Sequence, residues 1–184
     1  MLFDGSGAAF VAIGWAPATP QSGSKLLGRK IMSGNISPWP VVQSGSNGHP
    51  IKTLQYLLQA RGHSIAADGA FGPSTGAAVK AFQASRGLTA DGVVGPVTWA
   101  ALVVQVKKGS RGDAVKGVQE EFQFRNLSGD PSKGPQVDGI FGPVTDAAVR
   151  GFQHALSLDI PSVAVDGIVG PVTWQALVSG MLSF

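Results

Sequence analysis

Apolar residues recur at spacings of three and four in six segments of the chain, a spacing typical of amphipathic α-helices. The segments predict helices over about residues 50–61, 73–86, 96–103, 112–126, 143–157 and 171–178. Their apolar faces carry leucines, valines and the large aromatic residues Phe82, Phe152, Trp99 and Trp174. Because these aromatic residues follow the helical spacing, we expect them to form a core and not a surface for ligands.

A short phrase is written four times between these segments. It reads DGAFGPST from Asp68, DGVVGPVT from Asp91, DGIFGPVT from Asp138 and DGIVGPVT from Asp166. The first and third copies lead into AAVKAFQ and AAVRGFQ, whereas the second and fourth lead into WAAL and WQAL. The repeat is therefore a pair of phrases that is present twice. Repetition at this level predicts two similar units of three helices each.

The chemistry of the phrase predicts a connection from a loop into a helix. Proline suits the first position of a helix, because its missing N–H would have no partner there. The glycine after each aspartate permits a positive φ in the turn. We expect the threonine to bond back to the loop, and the aspartate to accept from free N–H groups at the start of the helix.

These motifs together resemble the peptidoglycan-binding domain 1 family. The resemblance rests on Leu54–Gln55, the D-G-x-F-G-P-x-T phrase, A-A-V-x-x-F-Q and the closing D-G-x-V-G-P-x-T-W-x-A-L, and it covers about residues 41–178. It implies an all-α protein with two tandem three-helix modules related by a pseudo-repeat. It further implies noncatalytic binding of bacterial cell-wall peptidoglycan, as in the binding modules of phage endolysins. The expected division is an irregular N-terminal extension over 1–40, module 1 over 41–104 and module 2 over 105–184. Module 2 has insertions near 126–136 and 158–164.

The expected ligand is polar and extended, so a shallow groove with several hydrogen-bonding groups would suit it. The candidate residues recur at matching places in the two units, apart from two residues beside the longer loop of unit two. They are Gln55, Asp68, Phe71, Thr75, Gln83, Asp91, Thr98, Gln119, Phe124, Arg125, Asp138, Phe141, Thr145, Gln153, Asp166 and Thr173. For Gln83 and Gln153 we also consider a purely internal role that ties helices together. Phe124 could contact a ligand or cover the joint between the units.

The side chains available for catalysis are few. Glu120 and Glu121 are adjacent, so they point in different directions on a helix, and we expect both to face solvent. The three histidines lack the spacing of a metal site, which favours structural or merely exposed roles. Without cysteine there is no thiol nucleophile. The sequence therefore predicts no catalytic residue, no metal site and no cofactor. The alternative functions are an adaptor that uses the same scaffold for protein contacts and, less favoured, a cell-wall hydrolase or peptidase.

Charge refines the list of partners. The net charge is +3 and charged residues make up 14% of the chain, which is low for a protein that binds nucleic acid. The basic run of Lys107, Lys108, Arg111 and Lys116 could contact anionic wall polymers, although a solvated helix entrance explains it as well. The expected partner is thus peptidoglycan, through its glycan or stem peptide. The oligomeric state is left open.

The first part of the chain has a different composition. Residues 1–31 are rich in glycine, alanine, proline and serine without a regular period, and we expect an upstream arm there. The apolar run Ala8–Ala16 follows Asp4 and lacks a basic leader, so it is not a convincing signal peptide. No segment is long enough to span a membrane. The resemblance implies a location in the cell wall or outside the cell, with no export route indicated. We expect Trp39 to pack onto unit one.

Overall fold

Six α-helices make up the fold in a computed structural model of the protein, which describes residues 35–126 and 130–183. In chain order they are α1 (Ile51–Ala60), α2 (Pro73–Ser85), α3 (Pro96–Leu102), α4 (Asp113–Phe124), α5 (Pro143–Asp159) and α6 (Pro171–Val178). Every predicted helix is present, and each predicted end lies close to the observed one. Within the described ranges, extended chain pairs only in four isolated bridges, so the predicted all-α class is confirmed.

Helices α1–α3 form one three-helix unit, called module 1 below, and α4–α6 form module 2. Trp99 in module 1 and Trp174 in module 2 are completely buried. Their indole N–H groups donate to the carbonyls of Pro40 and Val104, each at 2.8 Å. The chain segment that precedes each module is thus fastened to the third helix of that module. The same segments bridge to the closing phrases, through Val42↔Val94 and Val106↔Val169.

Trp39 lies on the face of Trp99, with the two ring centroids 6.0 Å apart and the rings nearly parallel. The predicted packing of Trp39 onto the first unit is therefore confirmed. Residues 1–34, which include the predicted arm and most of the expected N-terminal extension, lie outside the described residues.

The starts of four helices follow the chemistry of the repeated phrase. Helices α2, α3, α5 and α6 each begin with a proline after a glycine in extended conformation. The glycine of each DG pair has a positive φ, between 72° and 79°. The expectation that the aspartates cap the helices is wrong, because within the described residues none of the hydrogen bonds that they accept comes from the first turn of a helix. Their carboxylates accept instead from the N–H two residues onward, within the turn itself.

The two modules pack together through α1 and α4. Thr53 on α1 and Gly117 on α4 occupy matching positions in the two modules, and they meet at this contact. A Cβ built on Gly117 would lie 3.7 Å from Cγ2 of Thr53. The same Cβ would lie 3.4 Å from the ring of Trp174. Thr53 is 1% exposed, so the contact is buried, and the absence of a side chain at Gly117 leaves room for it. The two units therefore share one continuous core.

The predicted insertions of module 2 take different forms. The first contains a short 3₁₀ helix, Pro131–Lys133, and Gln123 holds it by donating to the carbonyl of Pro135 at 2.8 Å. Residues 127–129 of this loop are not described. The second lengthens α5 to Asp159 and adds the buried residues Ile160 and Val163 to the core. None of the helices described is both long and apolar enough to cross a membrane.

Candidate functional site

A buried glutamine holds each repeated phrase in place. The amide nitrogen Nε2 of Gln55 lies 2.7 Å from Oδ1 of Asp68, 3.1 Å from the carbonyl of Ala70 and 3.1 Å from Oγ1 of Thr75. Its carbonyl oxygen Oε1 accepts from the backbone N–H of Gly69 at 2.9 Å. One side chain on α1 thus joins both ends of the first phrase, because it bonds to the turn and to the first turn of α2.

This arrangement occurs four times, which defines the Gln–Asp–Gly–Thr networks. The other three are Gln83 with Asp91, Gly92 and Thr98, Gln119 with Asp138, Gly139 and Thr145, and Gln153 with Asp166, Gly167 and Thr173. Each of the four glutamines is 1% exposed. The structure therefore gives all four the internal role that the sequence offered as the alternative for Gln83 and Gln153. Ligand contact by the network residues stays a prediction.

The networks favour the ionised form of their aspartates. Hydrogen bonds from backbone N–H groups, followed by the glutamine N–H, lower the pKa of Asp68, Asp91 and Asp138 below the ordinary value of 3.8. A carboxyl group whose pKa is lowered by folding stabilises the folded state at pH values above its unfolded pKa. That contribution is lost as the pH falls through the folded pKa. The networks therefore link the stability of the fold to acid.

We expect the thermal unfolding temperature of the protein to fall as the pH is lowered from about 4 toward 2, because these aspartates must then be protonated. Asp138→Asn keeps an oxygen that can accept from the N–H of Ile140 but removes the charge. Its unfolding temperature should therefore fall less over this interval, which circular dichroism can measure. Asp159→Asn changes an exposed carboxylate at the end of α5 and is the control. Parallel curves for the wild type and Asp138→Asn would contradict this prediction.

A groove of about 510 Å³ opens on module 1 between the first and second phrases. The buried ring of Phe71 and the start of α2 form its apolar base. The lining also includes the polar residues Gln43, Ser44, Lys80 and Asp91. Both charged residues are exposed, so the groove presents one positive and one negative group to solvent. Of the candidate site residues, Phe71 and Asp91 line this groove.

A basic side chain lies over the DG glycine of each network. These side chains belong to Lys52, Lys80, Lys116 and Arg150, each three residues before the network glutamine. A Cβ on Gly69 would lie 3.5 Å from Cγ of Lys52, and one on Gly92 would lie 2.9 Å from Cε of Lys80. The sequence carries the corresponding signal, a K/R-x-x-Q pattern that recurs before each of the four phrases.

An ion pair buried between the modules was also missed. Oε2 of Glu121 on α4 lies 2.8 Å from Nε2 of His49, before α1, and 2.8 Å from Nη1 of Arg125. Arg125 also donates to the carbonyls of Leu177 and Met181 near the end of α6. The expectation that Glu121 faces solvent is wrong, because its side chain is fully buried by the contact with module 1. Glu120 next to it is partly exposed and lies 3.3 Å from Lys52.

The two candidate residues beside the longer loop also lie at this joint. The ring of Phe124 stacks on His49 with centroids 4.0 Å apart, yet 48% of the residue is exposed. Arg125 is 8% exposed, which places it inside the joint and not on the surface. Phe141 is 1% exposed and belongs to the core of module 2. His49 pairs with Glu121 and stacks on Phe124, so it has a structural role, one of the two roles predicted for the histidines.

Other charged residues do not gather into a recognisable site. Among residues 35–126 and 130–183, no three histidine or acidic side chains lie close enough to hold a metal ion. Lys107, Lys108 and Arg111 of the basic run are exposed. Lys116 pairs instead with Asp113, Nζ to Oδ1 at 2.8 Å, and this bond raises the pKa of Lys116.

The fold and its four networks define a tandem of three-helix modules, each closed by two copies of the same turn. The model of the family "Putative peptidoglycan binding domain" matches residues 47–102 and 111–177, one segment for each module. The chain belongs to this family, as the resemblance of its motifs implies.

Known relatives and solved structures match this chain over part of their length. A zinc D-Ala-D-Ala carboxypeptidase of Streptomyces albus G is 34% identical over 128 residues, covering 68% of this chain and 44% of the relative. A solved peptidoglycan-binding protein from Clostridioides difficile, in complex with glutamine hydroxamate, is 40% identical. The match covers 36% of this chain and 42% of that one, with a TM-score of 0.35. A Burkholderia AP3 phage endolysin is 34% identical, covering 46% and 33%, with a TM-score of 0.35. The chain thus spans less than half of each of these relatives.

Proposed function

We propose that this chain holds bacterial peptidoglycan without cleaving it, through the open groove of module 1. The observation that carries the proposal is membership of the peptidoglycan-binding family in both modules, since the match covers most of the described residues. The match with the carboxypeptidase covers 44% of the length of that enzyme. Catalysis is accordingly no part of the proposal, and the stated role is attachment to the wall.

The geometry of the groove suits a wall peptide. Its base is apolar, through Phe71, and its sides combine an ammonium group, a carboxylate and the uncharged polar side chains of Gln43 and Ser44. A peptide that carries carboxylate, amide and ammonium groups complements such a surface. The groove also stays open when the modules pack, because module 2 contacts module 1 through α1 and α4.

Co-sedimentation with insoluble peptidoglycan sacculi tests the proposal. We expect the purified chain to pellet with sacculi from which anionic polymers have been stripped, and we expect the turbidity of the suspension to stay constant. Binding that disappears on stripping would transfer the interaction to the anionic polymers. Falling turbidity would reveal a hydrolase, and a chain that stays in the supernatant with every preparation would favour the adaptor function.

A double variant separates the basic run from the groove. Lys107→Ala with Lys108→Ala removes two exposed charges from module 2 and leaves the groove of module 1 intact. We expect its affinity for stripped sacculi to stay within about twofold of the wild type, because exposed charges contribute little to a short-range contact. The dissociation constants can be measured by depletion of the supernatant. A loss of about tenfold or more on stripped sacculi would contradict the assignment to the groove.

A further inference from the structure

The two modules differ at a position in the first turn of the second helix, which lines the groove of module 1. Gly76 in the first turn of α2 lines the groove of module 1, and its counterpart in α5 is Asp146. The lysine of the groove, Lys80, corresponds to Arg150. In module 2 these two residues pair with each other, Nε of Arg150 to Oδ2 of Asp146 at 3.2 Å.

The pair in module 2 occupies the space above the DG glycine. A Cβ built on Gly167 would lie 2.6 Å from Oδ1 of Asp146 and 2.8 Å from Nη2 of Arg150. The carboxylate is thus held between the turn and the guanidinium group, and 17% of the Asp146 side chain is exposed. Module 2 therefore fills with its own side chain the space that corresponds to part of the groove in module 1.

Module 1 has the cation, Lys80, but it has Gly76 where module 2 has the carboxylate of Asp146. A Cβ on Gly76 would meet only Cε1 of Phe71, at 3.7 Å, so the space beyond it is open. In the described parts of the chain, Lys80 forms no ion pair and no hydrogen bond. Its charge acts on Asp91, whose pKa is lowered mainly by hydrogen bonds from Val93 and Gln83 and least by Lys80.

We infer that the groove of module 1 takes a carboxylate of the ligand at the place where module 2 holds Asp146, with Lys80 as its partner. Module 2 is closed at this place by its own ion pair, so module 1 provides the binding. The inference rests on the proposed function and names the chemical group that the groove recognises. The carboxylate of a wall stem peptide fits this description.

Two opposite substitutions and a matched control test the inference. Gly76→Asp supplies module 1 with the closing carboxylate, four residues before Lys80, and the ordinary contact of the new Cβ with Phe71 allows the fold to accept it. Gly151→Asp makes the same change of charge on α5, where nothing lies within 4 Å. Asp146→Gly removes the closing carboxylate from module 2, together with a buried oxygen that has no hydrogen-bond partner among the residues that the structure describes.

The probe is sacculi stripped of anionic polymers, used as prepared and after amidation of their carboxylates. We expect Gly76→Asp to bind about tenfold more weakly than the wild type, because a hydrogen bond between charged groups is lost. Gly151→Asp should bind like the wild type. Asp146→Gly should tighten the binding, because a second groove on the same chain could then engage the wall. Amidated sacculi should bind the wild type as weakly as untreated sacculi bind Gly76→Asp.

The possible failures can be told apart. A wild-type chain that binds no sacculi overturns the proposed function and this inference together. A wild type that binds while Gly76→Asp binds equally well overturns the inference alone, as does binding that amidation leaves unchanged. Circular dichroism of each variant shows whether the helices are intact. A folded Gly76→Asp that has lost binding, beside a Gly151→Asp that retains it, supports the inference.

Discussion

Replacing Gln55 by alanine is expected to lower the free energy of unfolding by about 3–5 kcal/mol, a large loss for a single substitution. The side chain is 1% exposed and bonds to the turn, to a carbonyl and to Thr75 at once. Its removal leaves the N–H of Gly69 and the carbonyl of Ala70 without these bonds, and it opens a cavity beside them. Urea unfolding followed by circular dichroism measures this change.

A second substitution at Gln55 separates hydrogen bonding from packing. Gln55→Glu keeps the shape but places an oxygen where Nε2 now donates to Asp68 at 2.7 Å. Two carboxylates would then face each other, so we expect this variant to be at least as unstable as Gln55→Ala at neutral pH. Gln105→Ala changes an exposed glutamine and should stay within about 0.5 kcal/mol of the wild type. A cost at Gln55 no larger than at Gln105 would mean that the networks do not hold the fold.

Replacing Glu121 by alanine is expected to cost about 3–5 kcal/mol, because the substitution leaves Arg125 buried without its countercharge. His49 loses its partner in the same substitution, so the joint between the modules is weakened as well as α4. The cost comes from removing one member of a buried pair. It does not measure how far the intact pair stabilises the fold. Urea unfolding gives the value.

The adjacent glutamate provides a matched control for Glu121. Glu120→Ala removes a pair with Lys52 whose side chains are 22% and 45% exposed, so it should cost at most about 1 kcal/mol. The two variants have the same composition and the same net charge, and they differ only in which side of α4 loses its carboxylate. Equal losses of stability at the two positions would contradict the importance of the buried pair.

The aspartates of the phrase show how far local chemistry could be read. Pro73 and its counterparts start helices as predicted, since the preference of proline for the first helical position is a property of the residue itself. The sequence also placed Asp68 in a turn correctly. The predicted donors for Asp68, the N–H groups at the start of α2, are wrong, because its carboxylate accepts from the N–H of Ala70 and from the amide of Gln55. The latter comes from a different helix, and sequence spacing does not show that contact.

The sequence predicted only some of the residues that line the groove of module 1. Phe71 and Asp91 were among the candidates, whereas Lys80 and Gly76 were not. Lys80 follows a pattern that repeats four times, three residues before each network glutamine, so it was accessible from the sequence. The significance of Gly76 was not, because it depends on the ion pair that Asp146 makes above Gly167 in the other module.

By itself, the sequence determined the helices, the two units and the family, since these depend on periodicity, turn chemistry and repetition along the chain. Only the tertiary structure decided that Glu121 is buried, that the glutamines point inward, and that Asp146 and Arg150 lie over Gly167 whereas the space beside Gly76 is open. Helical periodicity shows which face of a helix is apolar, but burial of a polar residue depends on what packs against it. For Glu121, that is His49 from the other module, which lies far away in the chain.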